Sequence, residues 1–191
     1  MPATRKITRE MIVEAGVNVV REAGFGAINA RSVAQMANIS TQPLYKVFSN
    51  MTELKQVVRE EVFRLTKTMV QEYRSLGDEY EYMAYGLGLV RFAREEKQLF
   101  RYMYLDRENG EEAALDADYD DIIEMMMQRM NLDRETCIRF HLDMTLYTLG
   151  LAVTAYNGTL NLTDEQLEEC FSGQYEALLL LCQKNLRDGK T

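Results

Sequence analysis

The chain has 191 residues, of which 47% are hydrophobic and 27% charged, with a formal net charge of −8. That suits a soluble globular protein with room for one larger and one smaller domain. No apolar run is long enough to span a membrane, and the polar start MPATRKITRE is no secretory signal, so a cytoplasmic location without a membrane partner is expected. An acidic chain argues at first against nucleic-acid binding, but the charge is uneven. Residues 1–50 hold six Lys or Arg (Arg5, Lys6, Arg9, Arg21, Arg31, Lys46) against three acids (Glu10, Glu14, Glu22), and the remainder holds 16 basic against 27 acidic residues. A basic end on an acidic body confines any contact with DNA to one end.

In chain order, Ile7, Met11, Ile12, Ala15, Val19, Val20 and Ala23 recur at helical spacing, with Thr8 a candidate N-cap and Gly24 a natural stop. Gly24-Phe25-Gly26 makes a tight corner with Phe25 tucked beneath the helices. Asn29 caps a second helix, Ala30 to Ala37, whose small inner face is Val33, Ala34 and Ala37. The turn Asn38-Ile39-Ser40 follows, with Ile39 expected to be buried. A third helix is predicted over Thr41 to Phe48, capped by Ser40 and tolerating Pro43 in its first turn. Leu44, Val47 and Phe48 face inward, leaving Thr41, Gln42, Tyr45 and Lys46 outward. This is the layout of a helix-turn-helix, whose second helix enters the DNA major groove. Gln can read adenine bidentately, Thr can meet a base edge or the thymine methyl, and Lys and Tyr suit phosphates. Asn50 with Glu53 is a capping-box arrangement opening the fourth helix.

Beyond residue 50 the pattern stays helical: about 51–75, 79–95, 97–107, 117–130, 133–157 and 163–187. Breaks fall at Gly77-Asp78, Glu108-Asn109-Gly110, Asn131 and Asn157-Gly158, and Thr163 with Gln166 is another capping box. No proline follows Pro43 and strand-like alternation is absent. The fold class is therefore all-α, with about nine helices. A helix-turn-helix DNA-binding domain covers 1–50 and a helical body covers 51–191. Thr145 to Tyr156 and Tyr175 to Cys182 carry more apolar surface than the outside of a monomer accommodates, which points to a homodimer through the last third.

The middle is rich in Met and Tyr. Such residues are most often plain core, and they also line adaptable binding surfaces. A candidate pocket would draw on Met103, Met126, Phe140, His141, Met144 and Tyr147. His141 is the sole histidine and reads more readily as a satisfied polar core group than as a metal ligand. The run Asp116, Asp118, Asp120, Asp121 fails as a calcium loop, because Asp121 stands where an EF-hand needs Gly and Met127 where it needs Glu. Acids at a helix start favour the dipole, which is explanation enough. Cys137, Cys170 and Cys182 are odd in number and lack a CxxC pattern, so reduced core or interface thiols are expected, with a thiol sensor the alternative. Without GxSxG, HExxH, P-loop or CxxC, no enzyme and no cofactor is expected.

Residues 8–60 resemble the N-terminal domain of the TetR family (AcrR-like) of bacterial transcriptional regulators. The resemblance rests on the Gly24-Phe25 corner, the run Arg31 to Ser40 (RSVAQMANIS), Leu44 to Phe48 (LYKVF) and Asn50 to Leu54 (NMTEL). It implies that Thr41, Gln42 and Lys46 face the groove, and that Tyr45 and the N-termini of the first, second and fourth helices hold phosphates, with Arg31 and Ser40 beside them. It also implies a dimer on a near-palindromic double-stranded operator and a small apolar effector in the body, acting through the fourth helix. Two departures stand out: Met51 where the family usually has Lys, and Val47 where a polar residue is common. The reading is a ligand-responsive repressor. The alternative is a regulator without a small ligand, controlled by a protein partner or redox state.

Overall fold

The computed structural model describes residues 7–72, 81–106 and 119–188. Among them are nine α-helices: α1 (Arg9–Ala23), α2 (Ala30–Met36), α3 (Leu44–Val47), α4 (Met51–Glu72), α5 (Glu81–Glu95), α6 (Lys97–Phe100), α7 (Tyr119–Met130), α8 (Arg134–Asn157) and α9 (Asp164–Arg187). No strand occurs among the described residues, and the all-α class holds. The expected breaks at Gly77-Asp78 and Glu108-Asn109-Gly110 lie outside the described residues, as do Asp116 and Asp118. The chain forms two compact units. One takes the described residues within Met1–Thr68 and Glu96–Asn109, the other those within Met69–Glu95 and Gly110–Thr191. α4 contributes residues to both.

In the first unit α1 buries Ile12, Val13, Ala15, Val17, Val19 and Val20. Thr8 Oγ1 accepts the Met11 N–H (3.3 Å), and Gly24, at φ 83°, ends the helix with its N–H on the Val20 carbonyl. Gly16 lets α1 approach α4, because a Cβ there would stand 2.4 Å from Val58 Cγ2. After a single 3-10 turn, Phe25–Ala27, Asn29 and Ser32 form a reciprocal capping box that opens α2.

α6 buries Leu99 and Phe100 and continues as a π-helical turn, Arg101–Leu105. The turn closes through the Asp106 N–H on the Arg101 carbonyl (2.8 Å), so the helix expected over 97–107 is α only in its first turn. Its Tyr102 stacks on Phe25 with centroids 4.3 Å apart. Arg59 covers the same Phe25 ring at 5.4 Å, and Arg21 pairs with Glu96 at 3.0 Å. The corner is thus held from α4 and the π-helical turn rather than by the first three helices alone.

In the second unit α8 packs on α5, α7 and α9, and α5 packs on α9. Phe92, Ile123, Phe140, Met144, Ala152, Leu167 and Phe171 are buried there. Phe171 lies against Gly86, where a Cβ would meet the ring at 2.6 Å. Asp133 caps α8 by accepting the Thr136 N–H (2.9 Å), and the left-handed Gly158 (φ 69°) ends it. Thr163 and Gln166 form the expected capping box on α9. Asp164 beside them accepts from Arg91 (2.6 Å) and Arg94 (3.4 Å) of α5.

Candidate nucleic-acid interface

The segment from Asn29 to Glu53 is a chain of local solutions to helix-end chemistry. α2 leaves carbonyls without partners at its end, and a Schellman arrangement takes them up: the Asn38 N–H meets Gln35 C=O (3.1 Å) and the Ile39 N–H meets Ala34 C=O (2.9 Å). This needs a left-handed residue after the C-cap, and Asn38 supplies it at φ 54°. Ile39 is half-buried rather than fully buried.

α3 is shorter than the sequence pattern implied. It runs only Leu44–Val47, and Thr41 to Pro43 form a turn in which the Leu44 N–H bonds to Thr41 C=O (3.2 Å). Pro43 occupies the N-cap, with no side-chain cap hydrogen bond. Ser40 therefore does not cap the helix. Proline with its fixed φ starts this turn without donating an N–H.

Leu44 (1% exposed) and Phe48 (2%) anchor the inner side of α3, and Val47 is half-buried. On the other side Ser40, Thr41, Gln42, Tyr45 and Lys46 are exposed, as is Arg31 on the first turn of α2. Tyr45, at 57% exposed, is not a core tyrosine. The six residues expected to meet DNA are thus all exposed, five of them between Ser40 and Lys46 and Arg31 apart from them on α2.

The exit from α3 is fastened by polar groups. Asn50 Oδ1 accepts the Glu53 N–H (2.9 Å). The reciprocal leg departs from a capping box, because Glu53 Oε2 accepts the Ser49 N–H (2.8 Å) rather than that of Asn50. Glu53 Oε1 pairs with Arg9 Nη1 (3.1 Å), and the Arg9 guanidinium lies 4.3 Å over the Phe48 ring. The Ser49 backbone hydrogen bond first, and Arg9 next, hold the Glu53 carboxyl below the usual carboxylate range. Sequence reading counted Arg9 only as a basic charge and missed its contacts, because its partners lie 39 and 44 residues away (Phe48, Glu53) and no local pattern marks such a pair.

The residues expected to line an effector pocket are divided between the units. Met103 lies in the π turn of the first unit and the other five lie in the second. There Met126, Phe140 and Met144 are buried. Tyr147 donates its hydroxyl to the Cys170 carbonyl (3.3 Å) and meets Phe171 edge-on. His141 is half-buried, with its ring edge-on to Tyr119 at 5.5 Å. A groove between the start of α8 and the end of α9, involving Arg139, Phe140, Leu178 and Cys182, encloses about 50 Å³, far less than the ~300–1,000 Å³ of a small-molecule site. All three cysteines are free. Burial pushes the Cys137 and Cys182 thiols up, which lowers the thiolate fraction a redox sensor needs.

A helix-turn-helix segment with an exposed short helix after a left-handed turn, joined in sequence to an all-helical body, matches the TetR-like fold. A TetR family protein from Vibrio parahaemolyticus, assigned as a transcriptional regulator, shares it: the solved structure superposes with a TM-score of 0.63 over 88% of this chain and 97% of that one, at 16% identity. No protein-family model and no curated protein matches the chain.

Proposed function

We propose that the chain is a transcriptional regulator, a repressor that binds a near-palindromic double-stranded DNA operator as a homodimer. The observation that carries this reading is the exposed set Thr41, Gln42, Tyr45 and Lys46 around a helix pinned from behind by Leu44 and Phe48. Gln42 and Thr41 supply the hydrogen-bond chemistry of base edges, and Lys46 and Tyr45 that of phosphates. The basic excess of residues 1–50 supports the same end of the chain. Selection of bound duplexes from a randomised pool at physiological salt tests it, since affinity depends steeply on salt. A short near-palindrome is expected. Recovery of unrelated sequences overturns the reading.

The homodimer draws its support from α8 and α9. Leu142 and Leu146 on α8 and Leu180 and Leu181 on α9 are each half or more exposed, apolar surface that a second copy would cover. Leu146→Glu or Leu180→Glu should shift sedimentation to the monomer and weaken operator binding.

A small apolar effector releases the DNA in this reading. Met126, Phe140 and Met144 are closely buried, so an effector enters by displacing them, and methionine is the side chain best suited to repack. A preference of about 1–3 kcal/mol between DNA-competent and incompetent states changes occupancy five- to over a hundredfold. The burial of these three side chains favours a second reading, a regulator with no small ligand. A screen of apolar compounds that shifts neither melting temperature nor DNA affinity decides for it.

A further inference from the structure

A four-residue helix does not hold its own conformation, because the cost of starting a helix is recovered only over several turns. α3 has Pro43 at its start with no side-chain cap, and its last backbone bond is the Phe48 N–H on Leu44 C=O (2.8 Å). Its pose therefore has to be imposed from outside. Leu44 and Phe48 provide the apolar part. The rest comes from the chain that leaves α3, and Arg9 touches both ends of that chain: it covers the Phe48 ring and pairs with the Glu53 carboxylate, whose other oxygen holds the Ser49 N–H. Both members of the ion pair are partly exposed, with side-chain accessibilities of 43% and 34%. Such a pair adds little to overall stability. Its effect is geometric: three elements (α1, the end of α3 and the start of α4) share one guanidinium.

We propose that Arg9 is a positioning residue for DNA reading. It fixes the Phe48–Glu53 backbone, and with it the pose of Gln42, Tyr45 and Lys46, without touching the nucleic acid. The proposal rests on the regulator reading given above. It differs from the simplest electrostatic expectation in the sign of one outcome. Removing the Glu53 charge near DNA should strengthen binding to every duplex if Glu53 acts only through its charge. It should weaken specific binding if Glu53 acts through the clasp.

The experiment uses the full chain and its Arg9→Ala, Arg9→Lys and Glu53→Gln variants. Hydrogen exchange without DNA comes first. Faster exchange of the Phe48 and Ser49 amides in Arg9→Ala, with the α1 interior amides unchanged, supports the clasp, and unchanged exchange overturns it. Affinity for the selected operator and for an unrelated duplex is then measured across salt concentrations. If the competent pose falls to between a tenth and a third of the population, operator affinity falls about three- to tenfold in Arg9→Ala and Glu53→Gln. The unrelated duplex and the salt slope stay unchanged. Arg9→Lys, which keeps the charge and loses the planar stack, recovers only part of the loss. A salt slope reduced by about 0.9 in Arg9→Ala, with both duplexes weakened alike, makes Arg9 a phosphate contact and overturns the proposal. So does Glu53→Gln binding both duplexes more tightly. A wild-type chain without sequence preference overturns the regulator reading instead, and the two failures are distinguishable because exchange is read on the free protein.

Discussion

Gly16→Ala sets helix propensity against packing at the contact between α1 and α4. In a helix interior Ala is favoured over Gly by about 1 kcal/mol, so propensity alone predicts a more stable protein. The structure predicts the reverse. The new methyl would stand 2.4 Å from Val58 Cγ2, about 1 Å short of ordinary van der Waals contact. Val58 is fully buried on α4, and a β-branched side chain in a helix has one strongly preferred χ1, so it cannot rotate away. Overpacking of this kind costs about 1–3 kcal/mol, leaving a net loss of up to about 2 kcal/mol and a melting temperature lower by a few degrees, at about 2–4 °C per kcal/mol for a chain of this size. The control is Val58→Ala on the Gly16→Ala background. The introduced methyl then occupies space that the valine vacates, so the double variant should be more stable than the two single losses predict, by about 0.5–3 kcal/mol. Urea unfolding followed by circular dichroism measures all four proteins. If Gly16→Ala stabilises by the full propensity gain and the cycle is additive, the close approach of α1 and α4 is refuted.

Lys46→Ala should weaken all duplexes alike and reduce the salt slope by about 0.9, whereas Gln42→Ala should cost about 1–3 kcal/mol of discrimination at a single base pair; titration against operator variants at several salt concentrations tells them apart. Phe171→Ala empties the space between Gly86 and Tyr147 in the second unit and should cost about 3–5 kcal/mol, read as a lower urea midpoint at unchanged slope. Asp133 is held below the usual carboxylate range, first by the Thr136 hydroxyl and then by the Thr136 backbone N–H. Its folded value lies below its unfolded value of about 4, so its contribution to the start of α8 is complete above that value and is lost as the pH falls through the lowered one. Asp133→Asn keeps an N-cap acceptor without the titration, and should shrink the fall in melting temperature between pH 6 and pH 3.

Helix ends were the most legible part of the sequence, because capping is local. Thr8, Asn29 and Thr163 each stand where a helix begins, and Gly24 and Gly158 where one ends, whereas Ser40 does not cap α3 and Asp133 was not read as the cap of α8. The length of α3 was not legible. Leu44, Val47 and Phe48 have the same spacing whether one turn or two is helical, and only the turn at Thr41 to Pro43 shortens it. The exposed set was legible because the two anchors, Leu44 and Phe48, leave one side of the backbone free. What escaped was every tie between distant residues: Arg9 with Glu53, Phe25 with Tyr102, Gly86 with Phe171. The candidate pocket shows the same limit. Composition marks Met103 and Met126 as the same kind of residue, and only the fold assigns them to different units.

The first unit is discontinuous, and this puts a delay into its synthesis. Residues up to Thr68 leave the ribosome before the segment that completes the unit, from Glu96. At ~5–20 residues per second, roughly 2–8 s pass between Thr68 and Asp106. Through that interval Phe25 has no Tyr102 to lie on and Arg21 has no Glu96. Completion of the first unit is therefore timed by translation of a stretch that begins 28 residues after Thr68.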